Sequence, residues 1–203
     1  MPQRTQAHSA RRLLRRGGQT RAAKRWVLSI IGAAVIMLVP GLTGGSAQAS
    51  QSGFLSQARA AGLTSAQAEA LQEEVDRYVA RTGGTQISAN QVDLHGATLS
   101  VPVPGEARPR TFGTTDVHCN YGADYEYFCA YSETNFKGAS IAWWACGVEK
   151  FIPWNGEGSW DNNQTPGTRA RIYYLRDSAL TPAAPSRKLY GENWANVRKI
   201  KGC

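Results

Sequence analysis

The sequence predicts a mainly β fold, a small two-sheet sandwich stapled by two disulfides and preceded by a helix and a β-hairpin. Three observations predict it. Short aromatic and β-branched runs separated by Gly, Pro, Asn and Asp clusters fill residues 115–203, which is the spacing of an all-β sandwich. All four cysteines, Cys119, Cys129, Cys146 and Cys203, lie in that stretch. Upstream of it, one run of helical periodicity is followed by two short alternating runs.

The first element is an export leader. Arg4, Arg11, Arg12, Arg15, Arg16, Arg21, Lys24 and Arg25 precede the apolar run 27–39, and Ala47-Gln48-Ala49 offers the small residues of a cleavage site. This order of charge, apolar run and small residues is that of a secretory signal peptide, so residues 1–49 are expected to be removed and the mature chain to begin at Ser50. An uncleaved anchor would need about 20 apolar residues, and Gly32 and Pro40 interrupt the run. Arg11-Arg12 lies too far from the apolar run to make a twin-arginine signal the preferred route.

The net charge of +8 belongs to this leader. It holds eight of the 23 basic residues and none of the 15 acidic ones, which leaves fifteen of each sign and no net charge beyond it. Polyanion binding thereby loses its support, and no nucleic-acid partner is expected.

Residues 50–114 form the second element, a helix-hairpin segment and linker. Thr64-Ser65-Ala66-Gln67 resembles a capping box, Leu71, Val75, Tyr78 and Val79 recur at helical spacing, and Gly83-Gly84 stops the pattern. Val92 and Leu94, then Leu99, Val101 and Val103, alternate about a turn at His95-Gly96, as in a β-hairpin. One helix on one hairpin buries too little surface to stand alone. The segment is expected to lean on the downstream domain, as a pro-region or folding aid would, or on another protein.

The third element is the domain 115–203, with strands expected at 128–131, 140–144, 170–175 and 197–200. An even number of cysteines in an exported chain favours two disulfides. Of three pairings, Cys119 with Cys129 and Cys146 with Cys203 is the expected one, closing a short loop and tying the chain end to the middle of the domain. No C-x-x-C pair supports zinc instead.

Tyr131-Ser132-Glu133-Thr134-Asn135-Phe136-Lys137-Gly138 reads Y-x-x-x-x-F-x-G. Two aromatics can stack across such a hairpin, and Gly138 permits a positive φ. The pattern resembles the hairpin signature of the βγ-crystallin Greek key, in which a later serine closes over the hairpin; Ser159 in Gly158-Ser159-Trp160 matches that position. The wider string, Phe128-Cys129-Ala130-Tyr131 through Asn135-Phe136-Lys137-Gly138 to Ser159-Trp160-Asp161-Asn162-Asn163, is similar to the secreted actinobacterial metalloproteinase-inhibitor family, peptidase inhibitor family thirty-six. The likeness covers about residues 117–203. The stretch 194–200 resembles the end of a second Greek key, whose leading half, 173–190, has drifted from the pattern. The resemblance implies a small, secreted, disulfide-bonded, βγ-crystallin-like protein that blocks extracellular peptidases, metallopeptidases among them, by occupying the active-site cleft.

An inhibitor needs an exposed, preorganised segment. The candidate loops are 120–127, inside the first expected disulfide, and 181–187, with its prolines. Neither carries a mapped reactive site, and a plain surface loop is the competing account of each. The alternative function is a non-inhibitory binding module for calcium or cell-wall glycan. For calcium, the stretch 154–159 offers Asn155, Glu157 and Ser159, but Trp154 and Gly158 stand where oxygen ligands would be needed. A second stretch, 192–197, ends on Val197 where a serine would close it. For glycan, Trp143, Trp144, Trp154, Trp160 and Trp194 could stack on sugar rings, although indoles also supply the core of so short a domain.

No catalytic constellation is recognisable. After the leader only His95 and His118 remain, and no H-E-x-x-H, G-x-S-x-G or Walker-type loop occurs. Asn163-Gln164-Thr165 fits a glycosylation sequon but precedes Pro166, and no role is assigned to it. The expectation is therefore a non-enzymatic, secreted, monomeric protein without a cofactor, directed at an extracellular peptidase.

Overall fold

The structure, a computed structural model, describes residues 45–203, with side chains from residue 50 onward. The expected signal peptide lies outside the described residues except for the helical backbone at 45–49. No helix among the described residues is long and apolar enough to cross a membrane.

Helix α1 (Gly45–Ala60) was not expected from the sequence. Its apolar positions are sparse, and it is held by burying Ala58, with Leu63 just beyond it, against the core. Helix α2 (Ser65–Thr82) follows the capping box: Gln67 N donates to Thr64 Oγ1 at 3.2 Å and Thr64 N donates to Gln67 Oε1 at 3.0 Å. Ala68, Leu71, Val75 and Tyr78 form its buried face, and the helix closes where Gly83 N donates to Val79 O.

Strands β1 (Thr85–Ser88), β2 (Gln91–Asp93) and β3 (Ala97–Ser100) form an antiparallel meander. The β2–β3 turn falls at His95-Gly96, both at positive φ, the geometry that fits the twist of a two-residue hairpin. β3 stops at Ser100, short of Val101 and Val103, which are buried all the same beside Pro102 and Pro104.

Eight further strands follow: β4 (Phe128–Glu133), β5 (Lys137–Trp143), β6 (Glu149–Phe151), β7 (Glu157–Asn162), β8 (Arg171–Tyr174), β9 (Ser178–Leu180), β10 (Ser186–Asn193) and β11 (Val197–Lys201). The four expected strands are β4, β5, β8 and β11, and the sequence reading missed the other four. One sheet runs β1-β2-β3-β5-β4-β7-β10 and the other β6-β11-β8-β9, with antiparallel pairing throughout. β6 and β10 each join the sheet built mostly by the other's neighbours.

The compositional step near Pro109 falls inside one compact unit that holds all the described residues. β3 pairs with β5 from Ala97↔Trp143 to Ser100↔Ser140, and Arg81 Nη1 donates to Pro153 O at 2.9 Å. Tyr78 meets Trp154 edge-on at 6.3 Å between ring centroids. Of the two supports weighed for the helix-hairpin segment, the downstream chain is the one the structure provides.

A single core cluster contains Leu71, Val75, Leu99, Phe128, Ile141, Ile172 and Ile200 together with Trp143, Trp154, Trp160 and Trp194. Four of the five tryptophans beyond the leader are thus core residues, and Trp144 alone is exposed, at 58%. The disulfides join Cys119 to Cys129 and Cys146 to Cys203, across Cα separations of 5.8 and 4.8 Å. The second spans 57 residues, and closing a loop of that order contributes about 2 to 4 kcal/mol.

Candidate functional site

The candidate site rests on the β4–β5 hairpin. The Tyr131 and Phe136 rings lie 5.0 Å apart, across a turn in which Asn135, Phe136 and Gly138 all have positive φ. A side chain at Gly138 would be strained at its φ of 76° and would collide with Ser132. Ser159 Oγ, from β7, accepts from Phe136 N at 3.0 Å and donates to Glu133 O at 2.7 Å. One hydroxyl therefore satisfies a donor and an acceptor of the folded-over turn. Tyr131 is fully buried, and burial pushes its phenol far above the ordinary tyrosine range.

Cys119, Cys129, Tyr131, Phe136 and Ala142 form a second, small cluster, with Ala123 and Tyr127 packed on it. The disulfide-closed loop 120–127 sits over this cluster and is tied down along its backbone. Ala123 N donates to Asp161 Oδ2 at 3.0 Å, and Asn163 Nδ2 donates to Ala123 O at 2.9 Å. Glu126 N donates to Asn163 O at 2.9 Å, and Asn163 N to Tyr127 O at 3.0 Å. Within the loop, Asp124 N donates to His118 O and Tyr127 N to Asp124 O, at 2.9 and 3.1 Å. His118 stacks on Tyr127 at 4.2 Å, with its Nδ1 3.0 Å from Asp124 Oδ2. The outcome is a loop held from both ends, by a covalent bond and by two side chains of β7 and its extension, whose outer surface carries two tyrosines.

The other candidate loop, 181–187, has a different character. Thr181 and Ala184 are buried. Thr181 Oγ1 accepts from Ala170 N at 3.1 Å, Ala184 N donates to Thr168 O at 2.8 Å, and Ser186 and Arg187 already belong to β10. Little of it is free to enter another protein's cleft.

The calcium candidates do not act together. Ser159 is committed to closing the hairpin, Glu157 Oε1 accepts from Gly191 N at 2.7 Å, and Asn155 is exposed. The space a side chain at position 158 would occupy holds Trp194, whose Nε1 donates to Tyr131 O at 2.8 Å. Among the described residues no three of His, Cys, Asp and Glu gather as metal ligands would. His95 lies in its turn, where its N donates to Asp93 Oδ1 at 2.8 Å. A groove of about 390 Å³ beside α2 is lined by Glu73, Glu74, Glu106 and Glu133, of which Glu74 pairs with Arg77 and Glu106 with Arg110.

Comparison with protein families, with curated proteins and with solved structures finds no match for this chain. Sequence reasoning found the loop through its cysteines but missed its anchors, Asp161 and Asn163. The available signal was the polar run directly after Trp160, where three consecutive Asx residues sit in a stretch otherwise buried. Glu192, which opens the second calcium stretch of the sequence, is instead a buried carboxylate that accepts from Trp160 Nε1 at 3.1 Å, Tyr174 Oη at 3.2 Å and Lys188 Nζ at 3.0 Å.

Proposed function

We propose that this protein is a secreted, monomeric proteinase inhibitor that blocks an extracellular peptidase by laying the Cys119–Cys129 loop in its active-site cleft. The observation that carries the proposal is the restraint of that loop: a disulfide, two polar side chains and a set of backbone hydrogen bonds hold it rigid while its tip faces solvent. Rigidity removes the ordering cost of binding, and it slows productive turnover of a segment that a peptidase would otherwise cut. The leader and the paired cysteines support export.

As part of the same proposal, β4–β7 and β8–β11 are two βγ-crystallin-type Greek keys. The Tyr131–Phe136 pair, the positive φ of Gly138, the Ser159 closure and the exchange of β6 and β10 between sheets support it. The resemblance to the metalloproteinase-inhibitor family places metallopeptidases among the targets to try first.

The test is a titration of the purified, oxidised protein against thermolysin and subtilisin at micromolar concentration. Stoichiometric loss of activity of either enzyme is expected, and it should disappear once the disulfides are reduced. Full activity of both, and of chymotrypsin, at roughly tenfold excess of the protein would end the inhibitor reading. A glycan-binding module is the second reading, favoured by the exposure of Trp144; retention on insoluble cell wall, lost in Trp144→Ala, would support it.

A further inference from the structure

The loop 120–127 carries two exposed tyrosines, and their surroundings differ. Tyr121, 78% exposed, lies under the Arg108 guanidinium, 4.7 Å from its ring centre, and lines a hollow of about 270 Å³ together with residues 106–110. Its ring is thus drawn toward the protein's own surface. Tyr125 is 61% exposed, and among the described residues its ring has no stacking, cation or hydrogen-bond partner. The backbone on either side of it is fixed: Asp124 N is bonded to His118 O, and Glu126 N to Asn163 O. A large, amphipathic side chain with two rotatable bonds, standing free on an immobile backbone, is what a binding hot spot looks like before its partner arrives.

The next residue has an unusual conformation. Glu126 has a φ of 75°, a left-handed value that side chains other than Gly, Asn and Asp rarely adopt. Peptidases take substrates as extended strands that pair with the enzyme's own backbone. A left-handed residue cannot continue such a strand, and the Glu126 N–H that would enter the pairing is already donated to Asn163 O. The side chain before it can fill a pocket while the peptide bond after it stays out of the cleavable geometry.

We infer that Tyr125 is the specificity-determining residue of the loop, inserted into the primary pocket of a peptidase that prefers large aromatic side chains, and that left-handed Glu126 protects the Tyr125–Glu126 bond from hydrolysis. This rests on the inhibitory role proposed for the loop. Asp161 and Asn163 then act as positioning residues, because they hold the backbone on both sides of Tyr125.

The experiment compares inhibition constants of Tyr125→Ala, Tyr190→Ala and Glu126→Gly against whichever of thermolysin, subtilisin and chymotrypsin the wild-type protein inhibits. Tyr190 is an equally exposed tyrosine, at 64%, on β10 and outside the loop. Tyr125→Ala should weaken inhibition roughly a hundredfold, with Tyr190→Ala unchanged and with the melting temperature of both preserved. Glu126→Gly keeps access to the left-handed conformation but also admits the extended one. With subtilisin or chymotrypsin, which cut after the side chain held in the primary pocket, it should inhibit only temporarily, with a nick after Tyr125 seen by mass spectrometry once the disulfide is reduced; inhibition of thermolysin alone, which cuts before such a side chain, overturns the assignment. Equal inhibition by Tyr125→Ala and wild type overturns the assignment while leaving the inhibitor proposal standing. A Glu126→Gly protein as resistant to nicking as wild type overturns the role of Glu126. If the wild-type protein inhibits none of the three enzymes, the inhibitor proposal falls and this one falls with it.

Discussion

The β4–β5 hairpin and the β8–β9 hairpin occupy equivalent places in the two sheets, each opening a four-strand run, β5-β4-β7-β10 and β9-β8-β11-β6, but only the first is closed by its own side chains. In the first, Tyr131, Phe136 and Ser159 are buried and joined by ring contact and hydrogen bonds. In the second, Leu175 and Leu180 are exposed, Val197 stands in the closing position, and the pairing of β11 with β8 slips between Val197 and Lys199. The second half instead sends its large groups into the first. Trp194 donates to the Tyr131 carbonyl, and Glu192 receives Trp160. Two halves of similar topology thus share one lock, and the loop proposed to bind a peptidase is anchored on the side that has it.

The largest effect expected from breaking this asymmetry is at Gly158. A Cβ there would overlap the Trp194 indole nitrogen and the Tyr131 carbonyl and lie 2.7 Å from Trp194 Cδ1. Neither the backbone carbonyl nor the buried ring can move away cheaply. Gly158→Ala should destabilise by about 3 kcal/mol or more, measured by urea unfolding. A urea-unfolding curve like that of wild type would show that Trp194 is not fixed between the halves.

Ser159→Ala comes next. It leaves the buried Phe136 N and the partly buried Glu133 O without their shared partner, at a cost of about 1 to 3 kcal/mol. On the other hairpin, Leu180→Ala removes a side chain already exposed on an edge strand and should change stability by less than about 0.5 kcal/mol. The ratio of these two losses, read from the same unfolding experiment, measures how unevenly the halves are locked. Near-equal losses would remove the asymmetry.

Most of what was legible in the sequence joins pattern and partner close along the chain, Ser159 and the Cys146–Cys203 pair being read across 23 and 57 residues. The α2 capping box, the His95-Gly96 turn, the β4–β5 aromatics and the cysteines of the short loop all act within about a dozen residues. β7 and β10 were not legible, because Glu157-Gly158-Ser159-Trp160-Asp161-Asn162 and the Lys- and Asn-containing β10 read as turn and surface. β7 becomes a strand because β4 and β10 pair on either side of it and bury Gly158 to Asn162. The loop anchors were hidden for the same reason: Asn163 lies 40 residues from the Ala123 carbonyl it binds. Helix α1 and the pairing of β3 with β5 are likewise set by tertiary contact rather than by local propensity.

Glu192→Gln probes the bridge between halves. The carboxylate takes three donors, one of them the ammonium of Lys188, which is itself partly exposed. An amide offers only one acceptor oxygen, so a loss of about 2 kcal/mol is expected, less than for a fully buried ion pair. Salt should reduce the loss only slightly, since the carboxylate is buried.

Two tyrosines, one from each half, give the smallest and sharpest contrast. Tyr131 Oη is buried with no hydrogen-bond partner among the described residues, whereas Tyr174 Oη donates to Glu192 Oε1. Tyr131→Phe removes an unsatisfied polar group and should leave stability unchanged or raise it by up to about 1 kcal/mol, while Tyr174→Phe should lower it by about 1 kcal/mol. Burial first, then the charge and hydrogen bond of Glu192, push Tyr174 up from 10.0 to about 12, and burial pushes Tyr131 up as well. Between pH 10 and 12 the unfolded chain has released these protons and the folded chain has kept them. Unfolding therefore releases protons in that window, and stability that is full below pH 10 falls as pH rises toward 12. Each Phe variant should lose stability less steeply there than wild type, in urea midpoints taken at pH 9, 10 and 11. A Tyr131→Phe protein that is destabilised at pH 7 and as alkali-sensitive as wild type would mean that the hydroxyl has a partner, and that the first hairpin is held by more than its rings and Ser159.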